Sequence, residues 1–284
     1  MSTQARTSSN KVTINTLRKL YNTDEKITAV TAYDFTMARM LDSAGVDIIL
    51  VGDSLGMVVQ GEKTTLPVTI EHMLYHTSCV TKGVERAHVM VDMPFMSYQS
   101  SFDLAVENAG KLVKAGAQSV KLEGGEEITE LIWYLNKIGI PVMAHIGLKP
   151  QSIHSMGGYK IQGKSKTDAD TIIEEAKLME EADAFALLLE GIPLEVAQEI
   201  TNSVSIPTIG ISSGPHCSGQ ILVSYDLLGA NPDFKPKFVK QYTNLNETVT
   251  QAVASYCQDV KSGQFPAEHN SFHQNLVMVK TGSQ

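Results

Sequence analysis

Residues 102–123 read FDLAVENAGKLVKAGAQSVKLE and contain one complete helix-to-strand unit. Apolar or small side chains recur at the spacing of one helix face, at Phe102, Ala105, Ala109, Leu112 and Gly116. Ser100 and Asp103 have the spacing of a capping box before that helix, and Gly116 suits its end. Residues 119–123 follow as a short, mostly apolar run, which predicts a buried strand.

The same unit recurs along the chain. Eight runs read as strands, at residues 27–32, 47–51, 88–92, 119–123, 142–146, 185–190, 208–211 and 220–223. Thr167 with Asp170 repeats the capping-box spacing, and Pro193 suits the first turn of a helix that ends near Ser203. Alternating strands and helices favour parallel pairing, and eight units without a dividing linker predict a single α/β domain, a (β/α)8 TIM barrel. An open doubly wound sheet is the alternative.

The domain limits follow from this pattern. Residues 1–284 form one barrel domain, in which residues 13–262 are the barrel with its flanking helices. Residues 1–12 are expected to be a flexible N-terminus, and residues 263–284 a polar C-terminal tail.

Composition narrows the class of function. The chain has 23 Lys and Arg against 31 Asp and Glu, a net charge of −8, and lacks basic runs, which disfavours nucleic-acid binding. Three widely spaced cysteines support neither a disulfide framework nor a zinc site. No apolar run has the ~20 residues of a membrane helix. These features predict a cytoplasmic protein with a small-molecule partner. Early basic residues weakly resemble a transit peptide, but residues 14–21 also fit an amphipathic helix.

Polar residues stand at the carboxyl ends of five predicted strands, where apolar residues are expected. They are Asp53, Asp92, Lys121, Glu123, His145 and Glu190. Any one of them could cap a helix or form a surface ion pair. Together they indicate an active site, because the carboxyl ends of barrel strands share one mouth.

The residue types favour Mg²⁺ chemistry. Asp53 and Asp92 are the best ligand pair, and Glu123 could bind directly or through water. Lys121 would supply positive charge for a substrate carboxylate, and Glu190 would be free to act as a base.

Three other motifs are weaker. Residues 158–165 match the phosphate-loop pattern GxxxxGK[ST], but no strand directly precedes them. His72 and His76 have metal-ligand spacing without the glutamate of a metalloprotease, and are expected to lie on a helix surface. Gly124-Gly125 fits an anion cradle and a tight turn equally well.

The ordered motifs resemble those of the ketopantoate hydroxymethyltransferase (3-methyl-2-oxobutanoate hydroxymethyltransferase) family over roughly residues 13–273. They include Val51-Gly52-Asp53-Ser54-Leu55-Gly56, Asp92-Met93-Pro94-Phe95, Val120-Lys121-Leu122-Glu123-Gly124-Gly125, His145-Ile146-Gly147-Leu148, Gly157-Gly158-Tyr159-Lys160, Leu189-Glu190 and Gly219-Gln220-Ile221-Leu222-Val223.

The resemblance implies that a hydroxymethyl group passes from 5,10-methylenetetrahydrofolate to 3-methyl-2-oxobutanoate, through a Mg²⁺-stabilised enolate, to give 2-dehydropantoate for pantothenate biosynthesis. It implies these residue roles: Asp53 and Asp92 as Mg²⁺ ligands with Glu123 nearby, Ser54, Asp92, Lys121 and His145 at the substrate, and Glu190 as the base. It also implies a homodecamer.

The sequence departs from the family pattern at two places. Ser218 stands where the family usually has Asp, and Ser212-Ser213 replaces a Gly/Ala pair. Ser218 is expected beside the mouth, where it could alter folate positioning. The alternatives are another Mg²⁺-dependent 2-oxo acid barrel of the phosphoenolpyruvate mutase/isocitrate lyase group, a catalytically silent barrel, and a nucleotide switch.

Overall fold

A computed structural model of the protein describes residues 11–233 and 235–273. Over these residues, eight parallel strands close into a barrel in sequence order. The strands are β1 Ile27–Thr31, β2 Ile48–Val51, β3 His88–Asp92, β4 Ser119–Glu123, β5 Val142–Gly147, β6 Ala186–Glu190, β7 Thr208–Ile211 and β8 Gly219–Leu222. Each strand pairs with the next, and β8 pairs with β1. The TIM-barrel prediction is confirmed, and the open sheet is excluded.

The helices of the described residues precede β1, follow β8 or lie in the connections between strands. They are α1 Ile14–Asn22, α2 Phe35–Ser43, α3 Leu55–Val58, α4 Ile70–Gly83, α5 Phe102–Lys114, α6 Thr129–Lys137, α7 Lys166–Glu181, α8 Leu194–Ser203, α9 Ser224–Leu227 and α10 Leu245–Ser262. None of them is long and apolar enough to cross a membrane.

Two apolar cores hold the barrel. The larger lies between strands and outer helices, where Ile49 and Val91 pack against residues such as Leu112. The smaller fills the barrel interior and includes Ile48, Met90 and Met143. Leu17 of α1 packs into this inner cluster, so α1 covers the amino end of the barrel and leaves the carboxyl end as the mouth.

Two helix starts differ from the sequence prediction. The side chain of Ser101, not Ser100, caps α5 by accepting from the N–H of Leu104. Ser165 caps α7, and Thr167 lies inside that helix. In both cases a second Ser or Thr lay nearby, so spacing alone could not choose between them.

The predicted terminal segments are only partly described. Residues 1–10 and 274–284 lie outside the described residues. Val12, assigned to the N-terminus, is buried, and its N–H donates to Arg86 O at 2.7 Å. At the other end, Gly263 ends α10 in the left-handed conformation at φ 74°.

Candidate active site

The strand register brings the predicted polar residues to one place. Asp92 of β3 is opposite Lys121 of β4, and Glu123 of β4 is opposite His145 of β5. Glu190 ends β6, and its register partner on β5 is Gly147. All of these strands present their carboxyl ends at the barrel mouth, so these residues meet although they span about half of the sequence.

Asp53 and Asp92 form a buried carboxylate pair. Asp53 lies two residues beyond the end of β2, and its N–H donates to Asp92 Oδ2 at 3.0 Å. Asp53 is 4% exposed and Asp92 is 3% exposed. Burial raises the pKa of Asp53 well above its usual range, and the charges of Asp92 and Glu123 raise it further. Burial also raises the pKa of Asp92, although Lys121 opposes that effect.

Lys121 lies among these acidic groups. Its Nζ is 3.1 Å from Asp92 Oδ1, 3.8 Å from Glu123 Oε1 and 3.2 Å from His145 Nδ1. Burial alone would lower the pKa of the ammonium group, but Asp92 and Glu123 outweigh burial and raise the pKa above its ordinary value. The acidic neighbours therefore favour the charged form of Lys121, which places a positive charge in the cluster.

Glu123, His145 and Glu190 form a chain of contacts toward solvent. His145 Nδ1 is 3.3 Å from Glu123 Oε1, and His145 Nε2 is 3.4 Å from Glu190 Oε2. Burial would raise the pKa of Glu123, but His145 and Lys121 lower it overall. Burial and Lys121 would lower the pKa of His145, but the two glutamates raise it. Glu190 is 22% exposed while His145 is 1% exposed, so Glu190 is the carboxylate that reaches the mouth.

The donor set fits a hard divalent cation. Asp53, Asp92 and Glu123 are three buried carboxyl groups facing one ammonium group, so the site holds an excess of acidic groups. In the described part of the chain, no three His, Cys, Asp or Glu side chains are grouped so that they alone could hold a metal ion. Mg²⁺ does not need three, because it usually takes one or two protein carboxylates and completes its shell with water and substrate oxygens.

Ser54 stands beside this cluster at the start of α3. Its Oγ lies 2.9 Å from Tyr33 Oη, and it is half-buried at the mouth. A Cβ on Gly52 would lie 2.8 Å from Ser54 Oγ, so a glycine is needed for this close approach. Tyr33 does not stand out in the sequence, because a tyrosine after a strand is an ordinary core residue.

Comparisons with known proteins identify the family of the chain. The ketopantoate hydroxymethyltransferase family model matches residues 11–268. The chain belongs to this family. It is 51% identical to the 3-methyl-2-oxobutanoate hydroxymethyltransferase of Geobacter metallireducens over 92% of this chain and 98% of that protein. The enzyme of the same name from Geobacter sulfurreducens is 53% identical, with the same coverage of both chains.

The fold is shared more widely. The crystal structure of 2,3-dimethylmalate lyase, a member of the PEP mutase/isocitrate lyase superfamily, superposes with a TM-score of 0.57. The match covers 88% of this chain and 98% of that one at 17% identity, and it shows a common fold. The family assignment makes the protein a hydroxymethyltransferase, so the lyase and mutase alternative is set aside.

One residue of the site was missed from the sequence. Gln151 lies in the loop after β5, is 5% exposed, and donates through Nε2 to Asp53 Oδ2 at 2.9 Å. No periodicity marks a loop residue. Its position a few residues beyond a strand that ends at the mouth was the only signal.

The weaker motifs have structural explanations. Residues 158–165 lead into α7, but β5 ends at Gly147, well before them, so the requirement for a preceding strand is not met. His72 Nδ1 accepts from the N–H of Thr69 at the start of α4. The N–H of Gly125 donates to Glu127 Oε1 at 3.0 Å, so the Gly-Gly turn already holds a carboxylate of this chain.

The expected position of Ser218 is wrong. Ser218 precedes β8 at the amino end of the barrel, and its Oγ accepts from the N–H of Thr208 at 3.2 Å, where β7 begins. A residue that directly precedes a barrel strand lies at the amino end of the barrel, opposite the mouth. The Ser212-Ser213 departure does lie at the mouth, where Ser213 Oγ donates to Leu189 O at 2.8 Å.

Proposed function

We propose that the protein catalyses the transfer of a hydroxymethyl group from 5,10-methylenetetrahydrofolate to 3-methyl-2-oxobutanoate, which gives 2-dehydropantoate for pantothenate biosynthesis. The observation that carries the chemical part of this proposal is Glu190. It is a partly exposed carboxylate at the edge of a buried acidic cluster, and its Oε2 lies 3.4 Å from Nε2 of the buried His145.

Glu190 removes the proton from C3 of the 2-oxo acid. The C3–H bond breaks, the proton goes to the Glu190 carboxylate, and the electron pair moves toward the 2-oxo oxygen to form an enolate. C3 then bonds to the one-carbon unit of the folate as the 2-oxo group re-forms. Both carbon–nitrogen bonds of that unit break, water supplies the hydroxyl oxygen, and tetrahydrofolate leaves with the C3 proton and one proton of the water on its two nitrogens. His145 orients Glu190 through Nε2 and is itself oriented by Glu123 through Nδ1.

Asp53 and Asp92 are the residues that would hold Mg²⁺, with Glu123 in its surroundings. When bound, the cation polarises the 2-oxo group and stabilises negative charge on that oxygen. Lys121 and Ser54 would contact the polar end of the substrate, with Asp92 at the boundary between cation and substrate. The ion pair of Lys121 with Asp92 at 3.1 Å supports this arrangement, since it holds the positive charge still.

A loop after β5 shields the mouth. Tyr159 Oη lies 3.7 Å from Met57 Sδ, so a side chain of the β5–α7 loop reaches one that follows β2. This contact joins two loops at the mouth, and a closer approach of the same loops to bound substrate would limit the access of water to the enolate.

The cysteines give no support to a lyase that uses a reactive thiol. Cys79 is on the outer helix α4, Cys257 is on α10, and Cys217 is buried before β8. Burial raises the pKa of the Cys217 thiol, which makes it less reactive.

We also propose that the chain assembles with copies of itself, as a homodecamer by family resemblance. The exposed α10 supports self-association, because Val249, Val253, Tyr256 and Val260 form an apolar stripe on it. Light scattering on the purified protein would measure the assembly. The cytoplasmic location stays a prediction.

The test is proton NMR of 3-methyl-2-oxobutanoate in D₂O with Mg²⁺ and the purified protein, without folate. We expect the C3 proton to exchange with wild type, and the exchange to be lost in Glu190→Gln and Asp53→Ala. Glu195→Gln, an exposed glutamate of α8, is the matched control and should exchange normally.

Exchange that needs Glu190, Asp53 and metal supports the enolising half-reaction, and addition of 5,10-methylenetetrahydrofolate should then yield 2-dehydropantoate. Wild-type protein that binds Mg²⁺ but leaves the C3 proton unexchanged would refute the proposal and favour a catalytically silent barrel.

A further inference from the structure

Gln151 occupies a buried position between the acidic cluster and the loop after β3. It lies on a short 3₁₀ helix, Pro150–Ser152, directly beyond β5, and is 5% exposed. A buried amide of this length requires up to four hydrogen bonds from its side chain. Gln151 makes all four.

The environment fixes the orientation of the amide. Nε2 lies 2.9 Å from Asp53 Oδ2 and 2.9 Å from Met93 O, and both of these are acceptors. Oε1 lies 3.0 Å from Gln99 Nε2, which is a donor, and 2.9 Å from Tyr98 Oη, whose single proton is shared between Gln151 Oε1 and Glu123 O. A flipped amide would face acceptors with its oxygen and donors with its nitrogen, so only one orientation is compatible.

The backbone of the same residue reaches a second carboxylate. The N–H of Gln151 donates to Glu123 Oε2 at 3.0 Å, while the other oxygen of Glu123 faces His145. The Tyr98 hydroxyl links the side chain of Gln151 to the backbone of Glu123, since its Oη also lies 2.8 Å from Glu123 O. One residue therefore holds carboxylates that come from β2 and from β4.

We propose that Gln151 is a positioning residue for the cation site, acting through Asp53 and Glu123. A carboxylate rotates easily about the bond that joins it to the side chain. A hydrogen-bond donor to one of its oxygens therefore determines where the other oxygen points. Groups that hold metal ligands in this way typically change metal affinity or activity by ~10- to 100-fold when they are removed. The inference rests on the proposed function, because it assumes that Asp53 binds the cation.

A glutamate would not replace this residue. The Gln151→Glu substitution would keep the length and the acceptors for Tyr98 and Gln99, but it would set a carboxylate against Asp53 instead of a donor. In contrast, Gln151→Met keeps the volume and the backbone donor to Glu123 and removes only the amide.

The experiment measures Mn²⁺ binding by electron paramagnetic resonance in the presence of 3-methyl-2-oxobutanoate, with thermal unfolding in parallel. The variants are Gln151→Met and Gln151→Glu. Gln118→Met is the matched control, since Gln118 is partly buried and accepts from Val89 N at the amino end of the barrel.

We expect Gln151→Met to bind Mn²⁺ ~10- to 100-fold more weakly and to regain C3 exchange at high metal concentration, while Gln118→Met binds as wild type does. Gln151→Glu should bind Mn²⁺ more weakly than wild type as well. A folded Gln151→Met with wild-type Mn²⁺ affinity would overturn the inference. If Gln151→Met does not fold, Tyr98→Phe decides, because it removes the hydroxyl that contacts both Gln151 Oε1 and the backbone of Glu123, and unchanged affinity there would also overturn the inference.

Failure of the proposed function is a separate result. Wild-type protein that binds no Mn²⁺ would refute the metal role of Asp53 and this inference with it. Wild-type protein that binds Mn²⁺ and exchanges C3, with Gln151→Met unchanged in both, would refute only the role of Gln151.

Discussion

Replacing Lys121 with Met tests whether the ammonium group balances the buried acidic cluster. The side chains of Lys121 and Asp92 are 5% and 4% exposed, with 3.1 Å between Nζ and Oδ1. Methionine has similar length and no charge, so the variant leaves the carboxyl groups uncompensated while filling nearly the same volume. Removing one partner of a buried ion pair costs about 3–5 kcal/mol of stability, because the remaining charge stays buried.

The loss should depend on pH in a defined direction. Burial raises the pKa of Asp53 and Asp92 in the folded protein above their unfolded values, which are about 4. The folded state therefore keeps protons that the unfolded chain releases, so stability is fully present below about pH 4 and falls as pH rises through the folded pKa values. Without Lys121 those pKa values rise further. The free energy of unfolding that Lys121→Met loses relative to wild type should be small at low pH and should grow toward neutral pH.

The assay is urea unfolding followed by circular dichroism in metal-free buffer, across a pH series. Lys111→Met is the matched control, because Lys111 pairs with Glu107 at 2.9 Å on the exposed face of α5 and should show no measurable change. A Lys121→Met protein with the wild-type free energy of unfolding at neutral pH, or with a deficit that is the same at every pH, would refute the reasoning.

Three further changes give simpler outcomes. Ser218→Asp should leave kcat/KM unchanged, because Ser218 bonds to Thr208 at the amino end of the barrel; a change in kcat/KM or in metal affinity would contradict this. Gly147→Ala should abolish C3 exchange and lower the melting temperature, because φ is 92° and the new Cβ would collide with the carbonyl oxygen of Glu190; normal exchange would show that the β6 end can adjust. Ser165→Ala should destabilise α7 by about 1 kcal/mol in urea unfolding without affecting exchange.

The sequence by itself determined the architecture. Each strand of the barrel begins and ends within one residue of a predicted run, since parallel strands buried on both faces read as mostly apolar runs. The sequence also indicated which acidic and basic residues lie at the mouth, because a charged side chain at the end of an apolar strand is unusual. Their roles as ligands and base were inferred from residue type and from family resemblance, and they stay proposals.

Only the tertiary structure decided how those residues contact one another. The strand register sets Glu123 opposite His145, and the β6 end places Glu190 within reach of the same ring. Gln151 comes to Asp53 across 98 positions of sequence through a loop whose path no periodicity predicts. Ser218 shows the same limit in another way. The family motif indicates that this residue departs from the usual Asp, but only the structure shows that it lies at the amino end of the barrel. Local patterns specify helices and strands, whereas contacts between distant side chains depend on the closure of the barrel.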